Sequence, residues 1–517
     1  MVSSPPTSTI GSSTLTRRGF VGLSAAAVAA AYGVSSAPAW ASPRFSGDPF
    51  ALGVASGDPL PDGVVLWTRL APEPLAPDGF GGMPHRQVAV RWEVASDSQF
   101  QRVVRRGVER AVPELAHSVH VEVGGLRPAR DYWYRFRVGG AVSRVGRTRT
   151  APSFGSMPSQ ARFAVASCQA WVGGPYAAYR AMAREDLDLV VHVGDYTYER
   201  RADETLADFR FVHGQYKTSP DLQDAHAAAP FVLTFDDHEI ENNWAGNVSQ
   251  PDGEESNEPG RFRRLRANAF QAYYEHLPLR RPQRPSGARI RLHRRLDYGR
   301  LLRFNVLDTR QYRTDQLAEA FPAGPLDPRA SDPGQTLLGD AQERWLFGGL
   351  RRSPARWNVL AQQMIMAQVD YDLGADLAVN HDQWDGYRVS RERLLRFVEQ
   401  NETQNPVVLS GDWHSAWVND LRLDFDRPDT PAVATEFVST SISSNCGWAD
   451  AVEAARPANP HVRYLNARQR GYLSVQVTPQ QWRTDYRVVA SAADTNAPAV
   501  TDSSWVVENG QAGAQPA

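Results

Sequence analysis

Two hydrophobic rhythms divide this chain. From residue 46 to about residue 150, apolar and polar positions alternate in short bursts: Val64–Leu70, Gln87–Val94, Ser118–Val123, Tyr132–Val138 and Ala141–Thr148. Alternation with period two puts one face of a strand in a core and the other in water, and Gly, Pro and Asp clusters close each burst, so this region predicts an antiparallel sandwich. From Arg162 onward the bursts become continuous apolar runs, at Phe163–Ser167, Leu187–Val193, Phe231–Phe235, Leu301–Leu307, Val359–Gln362 and Val407–Ser410. Such runs read as strands buried on both faces. Between them Tyr176–Glu185, Ala341–Arg351 and Arg391–Gln400 carry apolar residues at helical spacing. The whole reads as an α/β protein preceded by an all-β region. Thr150 to Gln160 has the composition of a linker, and the Pro/Gly/Arg-rich stretch from Asn247 to Arg295 reads as a surface excursion, partly helical near Arg261–Glu275.

Composition narrows the class. The 517 residues hold two cysteines, which excludes a disulfide-stapled scaffold, and 14 Trp, 17 Tyr and 20 Phe, which excludes a mainly disordered chain. The formal net charge of −2 supplies no global field for nucleic acid or an anionic membrane. Lys217 is the sole lysine among 56 basic residues.

The first 41 residues read as an address. Arg17-Arg18-Gly19-Phe20 precedes the alanine-rich apolar stretch Leu23–Val34, and Ala37-Pro38-Ala39 and Ala39-Trp40-Ala41 follow as small-residue cleavage sites. The arginine pair resembles a twin-arginine export signal. The alternative is a retained membrane anchor.

Four polar clusters directly follow predicted buried strands: Ser167-Cys168-Gln169, Gly194-Asp195-Tyr196-Thr197-Tyr198-Glu199, Asp236-Asp237-His238-Glu239 and Ser410-Gly411-Asp412-Trp413-His414. The carboxyl ends of strands in α/β sheets are where ligands bind. Converging carboxylates and imidazoles are the ingredients of a two-metal site, in which paired cations clamp the attacking and leaving oxygens of an in-line displacement. A thiol and a phenol favour a trivalent or late transition metal, and phenolate ligation suits ferric iron. The aspartates favour a hard cation such as calcium. Simpler readings stand beside these: Cys168 paired with Cys446, Tyr198 packed beneath its loop, Asp195 as a turn residue. Arg310, after the strand Leu301–Leu307, either clamps a phosphate or pairs with Asp308. Trp384, Tyr387 and Arg388 are candidates for shaping substrate access, and His192 for supporting the sheet or the ligands.

Taken in order, Ser167-Cys168-Gln169, His192 to Glu199, Phe235 to Trp244 and Leu409 to His414 resemble the motifs of PhoD-type alkaline phosphatases. The resemblance implies a calcineurin-like metallophosphoesterase core, a two-sheet α/β sandwich. It also implies phosphomonoester and phosphodiester hydrolysis outside the cytoplasm, by in-line attack of hydroxide held between iron(III) and one or two calcium(II) ions. Carried over, Asp195 bridges the metals, Cys168, Tyr198 and His414 hold iron, and Asp237 and Asp412 face calcium. His238 binds phosphate or protonates the leaving group, and Arg310 is the candidate for binding substrate. Which of Asp236, Asp237 and Asn242 reach the second metal stays open. The expected organisation is a signal over 1–41, a β-sandwich resembling fibronectin or immunoglobulin domains over 42–150, a linker over 151–160 and the catalytic domain over 161–517. Leu126 to Phe136 resembles the tyrosine corner of fibronectin type III domains. Expected partners are small phosphate esters, or phospholipid, nucleic-acid or teichoic-acid-type diesters, and the twin-arginine machinery, for a monomer that is secreted, periplasmic or wall-associated and forms no stable nucleic-acid complex. The competing readings are a dedicated phosphodiesterase of phospholipase D type and a non-catalytic surface protein.

Overall fold

The computed structural model describes residue 1 and residues 44–199, 204–249, 259–318, 321–427 and 429–517. The export-signal reading of residues 1–41 therefore falls almost wholly outside the described residues. Residues 44–517 form one compact unit.

Two mixed sheets lie face to face. The first has ten strands; its centre is Arg470–Val477, Ala161–Ala166, Leu189–His192 and Phe231–Leu233. The second has seven, centred on Leu302–Val306, Trp357–Ala361, Pro406–Ser410 and Ala432–Val438. The alternate residues Phe163, Val165, Leu189 and Val191 of the first meet Phe304, Val306, Val359, Val407 and Leu409 of the second in a shared core. Their opposite faces need cover too, which explains the continuous apolar runs. Helices Leu206–Lys217, Pro220–Ala228 and Pro259–His276 pack on the first sheet, and Gly339–Arg351 and Arg388–Gln400 on the second. The result is four layers, helix–sheet–sheet–helix. No helix among the described residues is long and apolar enough to cross a membrane.

The N-terminal strands are shared between two sheets. Val88–Ala95, Val103–Ala111, Asp131–Val138, Ala141–Val142 and Gly146–Arg149 make a sheet of their own, whereas Val54–Leu60, Gly63–Arg69 and Ser118–Val123 extend the ten-stranded sheet, joined to it by parallel pairing of Gly57 with Phe231. Val64, Leu66, Val90, Val121, Tyr134 and Phe136 fill the space between them. The sheet thus runs on across the expected boundary at 151–160. Side chains add further ties. Arg294 grips Asp58 with both arms of its fork at 2.9 and 2.7 Å, and Trp67 Nε1 donates to the Glu275 carbonyl at 3.0 Å. Tyr132 Oη accepts from the Arg127 amide at 2.9 Å, the hydrogen bond that defines a tyrosine corner.

A candidate two-metal centre at the strand ends

Each loop carrying a candidate ligand begins where a buried strand stops, and each turns sharply. Cys168, Asp195, Asp412 and His414 all have left-handed backbones, with φ of 55°, 56°, 61° and 53°. Such conformations cost free energy in non-glycine residues and persist where the surroundings hold them, which they do most often at functional sites. Gly194 makes one turn possible: at φ 118° a Cβ there would lie 2.5 Å from Cβ of Asp236. Glu239 ties two loops together, its carboxylate accepting from the amides of Asp195 at 3.3 Å, Tyr196 at 2.7 Å and Asp236 at 2.9 Å.

The turns bring the sequence-predicted residues into three overlapping groups: Cys168, Asp195 and His414; Asp195, Asp237 and His238; and Asp195, Asp236, Asp237 and Asp412. Within each, one ligand atom per residue lies within 4.8 Å of the others. Asp195 belongs to all three. They sit at a cavity of about 340 Å³ that Asp195, Asp237, His238, Asn242, Asp412 and His414 help to line.

The donor set is short of hydrogens. His414 Nδ1 lies 2.8 Å from the Asn445 carbonyl, which can only accept, so this nitrogen carries the proton and Nε2 is a bare lone pair. Burial lowers the pKa of His414 to about 3, against the opposing pull of that carbonyl, and the ring is neutral. Tyr198 Oη lies 2.9 Å from this Nε2, 2.8 Å from Asp195 Oδ2, and receives a hydrogen bond from Ser444 Oγ at 2.8 Å. One phenolic hydrogen faces two acceptors. Asp195 Oδ1 and Asp236 Oδ2 are buried with no hydrogen-bond partner among the described residues. Burial, reinforced by neighbouring carboxylates, pushes the Asp195, Cys168 and Tyr198 protons to bind far more tightly than usual. Surplus lone pairs in a buried site are what a cation satisfies, releasing those protons as it binds. The residues fit bound metal.

His238 Nδ1 lies 2.8 Å from Glu199 Oε2, and its ring packs against Tyr198 with centroids 4.3 Å apart and planes tilted by 32°. Burial works against its charged form, but Glu199, Asp237 and Asp195 outweigh that and raise its pKa well above the usual value. Arg310 is wholly buried, and its guanidinium turns away from Asp308, which accepts only its backbone amide, at 3.1 Å. Nε reaches Asp236 at 2.6 Å and Nη1 reaches Asp382 at 2.9 Å, while Nη2 is held loosely, 3.4 Å from Asp412 and 3.6 Å from Asp237.

Asp236 and Asp237 both face the cluster, whereas Asn242 lines the cavity and gives its amide to Glu199 at 3.0 Å. Cys168 and Cys446 are both free thiols, so the disulfide alternative falls. Trp384 and Tyr387 are wholly buried, bonded to Gln362 and Thr314, and pack the interior rather than shape access. The partners missed from sequence are Glu199, Glu239, Asp382 and Gln383, whose Nε2 donates to Asp412 Oδ2 at 2.5 Å. Glu199 and Glu239 stood inside recognised clusters; Asp382 follows no buried strand and gave no signal.

Facing mixed sheets with a buried, carboxylate-rich, thiol- and phenol-containing cluster at their strand ends define an α/β protein with a candidate metal site. Comparison with known proteins is specific. Residues 163–486 match the model of the PhoD-like phosphatase family and residues 35–152 that of the PhoD-like phosphatase N-terminal domain. The chain is 46% identical over 493 residues to alkaline phosphatase D of Bacillus subtilis (strain 168), covering 92% of this chain and 83% of that protein. A solved structure described as PhoD superposes with a TM-score of 0.87 at 45% identity, over 92% of this chain and 93% of the other. The chain belongs to the PhoD-like phosphatase family.

Proposed function

We propose that this protein is a metal-dependent alkaline phosphatase hydrolysing phosphomonoesters and phosphodiesters. The observation that carries the reading is Asp195, common to three ligand groups, with one buried oxygen lacking any partner. Cys168, Tyr198 and His414 would hold iron(III) together with Asp195, and Asp237 and Asp412 would hold calcium(II), as one ion or two, with Asp195 between the sites. Thiolate, phenolate and imidazole suit the softer, more charged ion; carboxylates suit the harder one. When bound, the cations supply Lewis-acid stabilisation of the charge that builds on phosphorus during an in-line displacement.

The protein's own groups do the rest. Glu199 holds His238 by Nδ1, which leaves Nε2 to give its proton to the departing oxygen. With Nε and Nη1 fixed on Asp236 and Asp382, the loosely held Nη2 of Arg310 is the donor that would serve a phosphoryl oxygen in place of Asp412 and Asp237. Residues 42–150 would act as a fibronectin-like supporting module, joined through 151–160 to a catalytic region over 161–517. The pattern around Arg17-Arg18 supports export by the twin-arginine route.

Elemental analysis with a visible spectrum tests the metal assignment. Iron and calcium in stoichiometric amounts are expected, with a charge-transfer band that disappears in Tyr198→Phe. Zinc or manganese alone, with no band, would remove the iron assignment and leave the hydrolase reading standing.

A further inference from the structure

One wall of the cavity consists of rings that the chemistry above does not use. Phe321, Trp413 and Trp448 all line it. The centroids of Phe321 and Trp448 are 5.0 Å apart with planes at 89°, those of Trp413 and Trp448 5.1 Å apart, and those of Phe321 and Trp413 5.9 Å apart. Trp448 also stacks on His414 at 5.1 Å, so the aromatic wall begins beside the candidate ligands. Phe321 is 61% exposed, a large apolar ring serving no core. Its position is braced. Asn380 Nδ2 donates to the Pro322 carbonyl at 2.9 Å, and Gly324–Pro325 pairs with Ala378–Val379 just beyond.

Rings held in place in this way, Phe321 exposed, Trp448 half-buried and Trp413 buried behind them, have little to offer a phosphate or an open-chain polyol, which prefer water. They offer stacking and edge contacts to another flat ring. A space of about 340 Å³ lies at the small end of ligand sites, enough for a phosphoryl group and one ring system. We propose that Phe321, Trp413 and Trp448 form a subsite for the organic group of the ester, selecting phosphate esters that carry a planar heteroaromatic ring over those of simple polyols. The inference rests on the phosphoesterase reading and names its substrate class.

The test compares adenosine 5′-monophosphate with glycerol 1-phosphate, two primary alkyl esters whose leaving groups are chemically alike, on metal-loaded enzyme. The wild type favours the nucleotide in kcat/KM. In Phe321→Ala the ratio of the two kcat/KM values falls about tenfold, mostly through KM for the nucleotide, as loss of a ring contact implies. Phe321→Trp restores it. Equal losses on both esters, or an unchanged ratio, would overturn the subsite, as would a wild type with no preference for the nucleotide. Wild-type enzyme inert towards both esters would instead overturn the phosphoesterase reading.

Discussion

Arg310→Met removes a charge from the most crowded part of the site. Four carboxylates lie within reach of this one guanidinium: Asp236 at 2.6 Å, Asp382 at 2.9 Å, Asp412 at 3.4 Å and Asp237 at 3.6 Å. Asp382 keeps a second partner, Arg313 at 2.7 Å, but Asp236 keeps none, since its other oxygen is already alone. The loss therefore concentrates on Asp236, and breaking a buried pair on one side costs about 3–5 kcal/mol. In thermal terms that is on the order of 5–10 °C. Melting curves at a fixed scan rate, on chelator-treated protein, should show this drop. Adding calcium should narrow it, because a bound cation neutralises the same carboxylates and stabilises the fold by mass action. The discriminating result is a chelated variant that melts within about a degree of chelated wild type. The aspartates would then be held as neutral acids without help from Arg310, and the charge-balance account of the cluster would be wrong.

Asp195→Asn should leave the fold nearly intact, since only one of its carboxylate oxygens has a partner, yet reduce kcat by about a hundredfold or more; near-normal turnover by a metal-loaded variant would rule out the bridging role. Acid should destabilise the protein well above the carboxylate range. Burial lowers the pKa of His120 to about 4 and of His213 to about 3; Lys217 and Arg69 beside His213, and Arg284 and Arg281 beside His120, push the same way, while the carbonyls of Leu277 and Tyr274 resist at His120. Below about pH 6.5 the unfolded rings take up protons that the folded rings refuse, so stability falls as pH falls, by about 2 kcal/mol per ring at pH 5. Urea unfolding at pH 7 and pH 5 measures the slope, and His213→Phe, which loses no hydrogen bond because neither ring nitrogen makes one, should reduce it by one ring's share.

Much of this architecture was legible where burial is two-sided. The expected strand Phe163–Ser167 is observed at Ala161–Ala166, and Ser118–Val123 matches residue for residue, because an uninterrupted or strictly alternating apolar run has few other ways to hide. Exposed or broken strands escaped. Val103–Ala111 is an edge strand with mostly solvent-facing side chains, and Val54–Leu60 contains Gly57-Asp58-Pro59, with Asp58 at φ 42°. The candidate ligands were visible as residue types following strands. Their convergence was expected from their place at strand ends, but the left-handed turns at Cys168, Asp412 and His414 that bring it about were not, because no local propensity announces them. Arg310 illustrates the limit. The partners offered to its fork were a phosphate or Asp308, yet the guanidinium passes Asp308 by, and three of the carboxylates it meets, Asp236, Asp382 and Asp412, come from distant parts of the chain.

The shared ten-stranded sheet also constrains how the molecule is made. In spatial order it runs from Gln515–Pro516 through Ala161–Ala166 to Ser118–Val123, so the earliest and the latest described strands belong to one hydrogen-bonded array. On the ribosome, Val54–Leu60 waits for Phe231–Leu233, and Ala161–Ala166 waits for Arg470–Val477, before either is paired on both sides. Contacts this distant in sequence slow folding and leave strand edges open in the meantime. Synthesis must pass Arg470–Val477 before the sheet closes, and a nascent chain stalled short of it presents unpaired edges to chaperones and proteases.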